Sequence, residues 1–226
     1  MDDFRRISHS GEDEVVVVGR RGVEVDVADL HQPDISVALG GDNAASSNLI
    51  FAVVAKEVLG LNVNVVRGYT GAAPLFLAMQ RGELDGQMVG LSSVRTGQRD
   101  LWNRKAFRPL MAFGRATRHP EFPAMPIGRE LTNDPGALSL MEFAELPFFM
   151  ALPFAAPPGI PADRARTLQA AFLAMCRDKA FVDEAEKLGI DTSPIDGAAI
   201  LTLLARTAAT PKDVIARYNA IGGERK

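Results

Sequence analysis

The stretch Ile35-Ser36-Val37-Ala38-Leu39-Gly40-Gly41-Asp42-Asn43-Ala44-Ala45-Ser46-Ser47 decides how the chain is read. An apolar run passes into two glycines and a loop of small residues, and paired serines then stand where a helix N-cap accepts a backbone N–H. The residues after them predict a helix through Val58 that Gly60 stops. The same order repeats downstream. A strand is expected at 62–67, a turn at 68–71, a helix at 72–81 with Pro74 in its first turn and Gly82 as its C-cap, and a strand at 84–89. Two successive βαβ units imply an α/β fold in which helices cover the faces of a parallel sheet. In such sheets a ligand binds beyond the carboxyl ends of the strands, where the loops 40–47 and 68–74 both fall in this reading.

On the amino-terminal side, the four valines at 15–18 are too β-branched to prefer helix and read as a buried strand. On the carboxyl-terminal side, 92–103 reads as helix and 108–113 as strand. Pro120, Pro123, Pro126 and Pro135 forbid a continuous helix through the connector at 115–135. A helix is expected at 137–146, then an apolar strand at 148–156 broken by Pro153. The stiff turn Pro157-Pro158-Gly159-Ile160-Pro161 leads into a helix with apolar spacing at Ala165, Leu168, Ala171, Phe172 and Met175. Helices at 179–188, 198–208 and 212–220 close the chain. The expected division is an N-terminal segment and hinge strand at 1–23, a βαβ domain at 24–94, and a remainder with the C-terminal helices at 95–226.

Composition narrows the function classes. With 226 residues, 47% hydrophobic and 23% charged, the chain can bury a core, which excludes a disordered protein. A net charge of −3 provides no field that would recruit nucleic acid or an anionic membrane, so a charged ligand must be held locally. Charge is nevertheless uneven: the first 34 residues hold nine acids and four arginines, whereas 95–118 holds seven basic residues and only Asp100. Without a ladder of stacking rings, that basic stretch reads as a solvated helix face, and no nucleic-acid partner is expected. The single cysteine, Cys176, reads as a small buried hydrophobe. No apolar run approaches the ~20 residues of a membrane span. The opening Met-Asp-Asp-Phe-Arg-Arg lacks the apolar core of an export signal.

Catalytic signatures are mostly missing. His9, His31 and His119 stand at no metal-ligand spacing, so no metal is expected. Ser92 follows Gly90-Leu91 but is followed by Ser93-Val94, which breaks the nucleophile elbow at its last position. No phosphate-cradling or dinucleotide glycine motif occurs, so no cofactor is expected either. The positive signal is the pair of small-residue loops, whose backbone amides and helix N-termini suit an anion such as a carboxylate. Glycine-rich turns of this kind also occur in α/β proteins that bind nothing there.

Several blocks in order resemble the solute-binding proteins of tripartite tricarboxylate transporters, the Bug or TctC-like family. Val27-Ala28-Asp29-Leu30 resembles the family's T-x-x-D-L, and Val37 to Gly41 through Asn48-Leu49 its strand, small-residue loop and helix. Gly68-Tyr69-Thr70-Gly71-Ala72-Ala73-Pro74 with Arg81-Gly82-Glu83-Leu84-Asp85-Gly86 resembles the Y-x-G-x-x-P and G-x-V-D block. Phe122-Pro123-Ala124-Met125-Pro126 is similar to L-P-x-V-P, and Ala156-Pro157-Pro158-Gly159-Ile160-Pro161 with Leu188-Gly189 to A-P-x-G-x-P and the later L-G.

The resemblance implies a type II periplasmic-binding-protein fold of two lobes that closes over a small carboxylate without chemistry and presents it to membrane transporter subunits. Carried over by position, the ligand-binding residues are Gly41, Asn43, Ser46 and Ser47 in one loop and Tyr69, Thr70, Gly71 and Ala72 in the other. The family's opening β-α-β segment has no counterpart among these blocks, so the first lobe is expected to be incomplete. Asp42 also stands where the family favours Gly, Ser or Thr, and its carboxylate would repel an anion unless it turned away or capped Ala45 or Ser46. The family setting is periplasmic; a chain complete as written would stay in the cytoplasm. A cytosolic effector-binding or interaction module on the same fold, or an enzyme whose groups converge only in the fold, are the alternatives. Strands 108–113 and 148–156 are expected to lack neighbours, which predicts a homodimer through an open strand edge, cover by the first 14 residues, or poor solubility.

Overall fold

The computed structural model describes residues 5–9, 14–18, 25–43, 46–150, 154–188, 192 and 194–222. In chain order the first elements are β1 (Arg5–His9), β2 (Glu14–Val18), β3 (Val37–Gly40), α1 (Ser47–Glu57), β4 (Val63–Val66) and α2 (Ala72–Arg81). They are followed by β5 (Gly86–Gly90), α3 (Leu91–Gly97), α4 (Arg99–Asn103), β6 (Arg108–Phe113) and α5 (Pro135–Glu145). The rest is β7 (Phe154–Ala156), α6 (Ala162–Met175), α7 (Lys179–Lys187), β8 (Ile195–Asp196), α8 (Gly197–Ala208) and α9 (Lys212–Gly222).

Contacts divide the chain into two compact units, Asp13–Glu145 with Pro211–Lys226, and Met1–Glu12 with Leu146–Thr210. This division crosses the boundaries expected at 24 and 95. Strands β2 and β6 share a sheet with β3, β4 and β5, and that pairing holds the whole segment in one unit.

The larger unit is built on a five-stranded sheet in the order β4-β3-β5-β2-β6. Both βαβ units form as expected, with β4 and β5 parallel to β3 on either side of it. The sheet is mixed because β2 runs antiparallel between β5 and β6. Register between β2 and β6 slips between Val16 and Val17, opposite Pro109, whose ring removes a ladder donor.

Alternate residues serve the two faces of the sheet. On one, Phe51 of α1 stacks on Phe113 of β6, with ring centroids 4.6 Å apart and both side chains closed to solvent. On the other, Leu75, Phe76 and Met79 of α2 pack with Val89, Phe107 and Ala112. Helix α2 ends where the sequence predicts, at Gly82, whose left-handed φ of 76 closes the last turn. The predicted helix at 92–103 breaks at Gln98 into α3 and α4.

The smaller unit holds a three-stranded antiparallel sheet in the order β7-β1-β8. Asp178 and Asp196 cap α7 and α8 by accepting the N–H groups of Phe181 and Ala199. The strand expected over 148–156 is a 3-10 turn at Phe148–Met150 and the short β7, with 151–153 outside the described residues. The expectation that 108–113 and 148–156 lack neighbours is not met. Strand β6 pairs with β2 and bridges to Ile127 on its other side, and β7 pairs with β1. Residues 5–9 thus supply the missing partner from the chain itself.

Candidate functional site

Strands β3 and β4 are neighbours in parallel register, Gly40 opposite Val66, so both glycine loops leave the same edge of the sheet at adjacent points. The Gly41 N–H continues the ladder by donating to the Val66 carbonyl at 2.9 Å. Space explains the two glycines at the start of this loop. A Cβ on Gly40 would lie 2.3 Å from Leu75 and 2.4 Å from Leu84, and one on Gly41 would lie 2.7 Å from Leu49. Their smallness serves the packing of α1 and α2 against the strand end.

The loop then bonds to itself. Asp42 accepts the Asn43 N–H at 2.7 Å, so its carboxylate turns onto the loop backbone. The Ser46 hydroxyl lies 2.7 Å from the Asn43 carbonyl and 2.6 Å from Asn48 Oδ1, and it accepts the Leu49 N–H as the N-cap of α1. One proton cannot serve both acceptors, and neither leaves it for a ligand. Asn48 Oδ1 also accepts the Asp42 N–H at 3.2 Å, which makes this buried asparagine the brace of the loop. The sequence reading passed over Asn48. What remains for a ligand are Ser47, half-buried, with no hydroxyl bond among the described residues, and the first N–H groups of α1.

The second loop owes its glycines to backbone shape. Gly68 and Gly71 have φ of 105 and 128, and a Cβ on either would meet nothing within 4 Å. Gly71 is the N-cap of α2 and offers no side chain to its first turn; Pro74 lacks an N–H, so the donors exposed there are those of Ala72 and Ala73. Thr70 and Ala72 are exposed, Gly71 half-exposed, and Tyr69 packs its ring against the α2 side of the core. Arg67, also passed over by the sequence reading, is exposed at the exit from β4 and makes no ion pair among the described residues.

Helices α1 and α2, on opposite faces of the sheet, therefore both open beyond the carboxyl ends of adjacent parallel strands with unsatisfied N–H groups in their first turns, Ser47 at one and Thr70 beside the other. Aligned peptide dipoles add partial positive charge at both. Such a site can bind an anion through backbone donors. Among the described residues no cluster of three or more His, Cys, Asp or Glu is placed to hold a metal.

A TctC solute-binding protein from Polaromonas superposes with a TM-score of 0.63 at 17% sequence identity, over 97% of this chain and 69% of its own. The chain has the fold of the TctC solute-binding proteins. A Rhodopseudomonas palustris protein with adipate matches at a TM-score of 0.62 and 18% identity, covering 96% of this chain and 69% of its own. A second R. palustris protein, with bound malate, matches at 0.55 and 14% identity, covering 97% and 70%. No family model and no curated protein matches the sequence. Within this TctC-type fold the two glycine loops are the βα turns after β3 and β4. No described helix is long and apolar enough to cross a membrane.

Proposed function

We propose that the protein is a non-catalytic solute-binding protein for a small mono- or dicarboxylate, held at the loops after β3 and β4. The observation that carries this reading is the pair of open helix N-termini on adjacent parallel strands. In the same reading Ser47, Thr70 and the amides of Gly71, Ala72 and Ala73 donate to the ligand. Gly41, Ser46 and Asn43 shape the first loop, and Tyr69 anchors the second. In this reading the setting is periplasmic, with delivery to a tripartite tricarboxylate-type transporter; the support for it is the TctC-type fold.

Isothermal titration with adipate and malate tests the site. Binding in the micromolar range or weaker is expected, because Thr70, Ala72 and Ala73 are exposed and a carboxylate held there stays in competition with water. Ser47→Ala with Thr70→Ala should weaken it about a hundredfold or more, in keeping with two hydrogen bonds to a charged group at about 1.5 kcal/mol or more each. Unchanged heats in that double variant would move the ligand elsewhere.

A further inference from the structure

The larger unit also holds a cavity of ≈ 1210 Å³ at the end of the sheet where β3 and β6 begin, away from the glycine loops. Trp102, Phe107, Leu110, Phe122, Met125 and Leu131 give it an apolar lining. Its aromatic wall is held rigidly. Trp102 meets Phe122 edge-on at 6.1 Å, and the Arg95 guanidinium covers both rings at 5.4 and 5.9 Å. Glu121 fixes that guanidinium through two bonds of 3.0 and 2.8 Å. A preformed wall lowers the ordering cost of binding, and the volume is sufficient for a small organic ligand, for which ~300–1,000 Å³ is usual.

Charge around the mouth selects the ligand. The carboxylates that line the cavity are each engaged, Asp26 with Arg108 and Glu121 with Arg95. Lys105 is exposed and has no ion pair among the described residues, and of the described lysines and arginines that line the cavity it is the one left uncompensated. Its place is set by backbone geometry. The Lys105 N–H donates to the Trp102 carbonyl and the Ala106 N–H to that of Leu101, both at 2.9 Å, closing α4 in a Schellman motif. Lys105 holds the left-handed position of that motif, φ 52, where glycine is the usual residue.

We propose that this cavity is a second ligand site, independent of the glycine loops, that takes an amphipathic monocarboxylate. The alkyl or aryl body lies against Trp102, Phe122 and Met125, and the carboxylate pairs with Lys105 at the mouth. A short dicarboxylate is rejected because its second charge would be desolvated among apolar side chains.

Trp102 is the only tryptophan of the chain, so its emission reports this cavity alone. Octanoate, octanamide and adipate are titrated into the full chain. Octanoate should shift the emission saturably, octanamide more weakly, and adipate not at all. Lys105→Gly should weaken octanoate about fivefold, the scale of one exposed ion pair, and leave octanamide unchanged. Glycine suits φ 52, so loss of binding in that variant is not loss of fold. The Ser47→Ala, Thr70→Ala double variant should keep the octanoate response while losing adipate heats, which separates this site from the proposed function. The inference is overturned if octanoate leaves Trp102 unmoved, if octanamide matches octanoate with or without Lys105, or if adipate gives the same shift.

Discussion

In the larger unit Phe51, Phe113, Leu75 and Leu140 are closed to solvent, whereas α6 in the smaller unit has no buried residue at all. Both units carry apolar spacing on their helices, so pattern is not what separates them. The difference is the area of sheet available. Five strands give α1 and α2 a broad surface on either face, while β7 and β8 span only three and two residues. Leu168 and Leu201 consequently stay 42% and 59% exposed. An amphipathic helix buries its stripe only where a surface of matching size exists.

The sharpest test of this contrast is a pair of truncations. Phe51→Ala removes a ring fully enclosed against Phe113 and should cost about 3–5 kcal/mol in denaturant unfolding. Leu201→Ala in the smaller unit should cost under about 0.5 kcal/mol, as for exposed positions generally. Comparable losses at the two positions would break the comparison.

The glycine loops offer a second contrast inside the larger unit. Gly40→Val forces a side chain into the space of Leu75 and Leu84, both fully buried, and should destabilise by about 2 kcal/mol. Gly71→Ala meets no atom and should cost about 1–2 kcal/mol through its φ of 128 alone. Thermal melts of both variants check this; only Gly71→Ala should also weaken carboxylate binding, by turning the amides of the second loop.

These two loops also mark what could be read from the sequence. Strand, glycine and N-cap signals located β3, α1, β4 and α2 because each rests on local chemistry. Which donors stay open could not be read, since that depends on Asn48 reaching back to Asp42 and Ser46. Strand β1 was missed because Arg-Arg-Ile-Ser-His has no clear alternation and is held by long-range pairing to β7. The cavity under Trp102 was equally hidden: its lining comes from 26–31, 102–110 and 121–131, distant in sequence and joined by the fold.

Glu145 sharpens the comparison through pH. This carboxylate is 1% exposed, accepts the Gly114 N–H at 3.0 Å and pairs with Arg129. Burial raises its pKa above the ordinary value, outweighing the opposing pull of Arg129. Because the folded state then holds the proton more tightly, this group's stabilisation is full below the ordinary carboxylate pKa and is lost as pH rises through the folded value. Wild type should therefore gain stability relative to Glu145→Gln as pH is lowered from 7 toward 4.5. A difference that stays flat over that range, measured by urea unfolding, would show that Arg129 and Gly114 fully offset the burial.

The smallest expected effect concerns the exposed leucines themselves. Leu168→Ser and Leu201→Ser remove apolar surface that already faces water, so folding free energy should move by no more than about 0.5 kcal/mol. Solution behaviour should change more than stability. Exposed apolar side chains on one unit favour association by the same effect that buries Phe51 in the other, and α6 and α8 carry them without a charged residue at those positions. Light scattering over a concentration series should give a lower apparent mass, or a higher solubility limit, for the double serine variant than for wild type. If both proteins scatter identically while Phe51→Ala still loses several kcal/mol, the exposed stripe is inert in solution and the contrast between the units is one of stability alone.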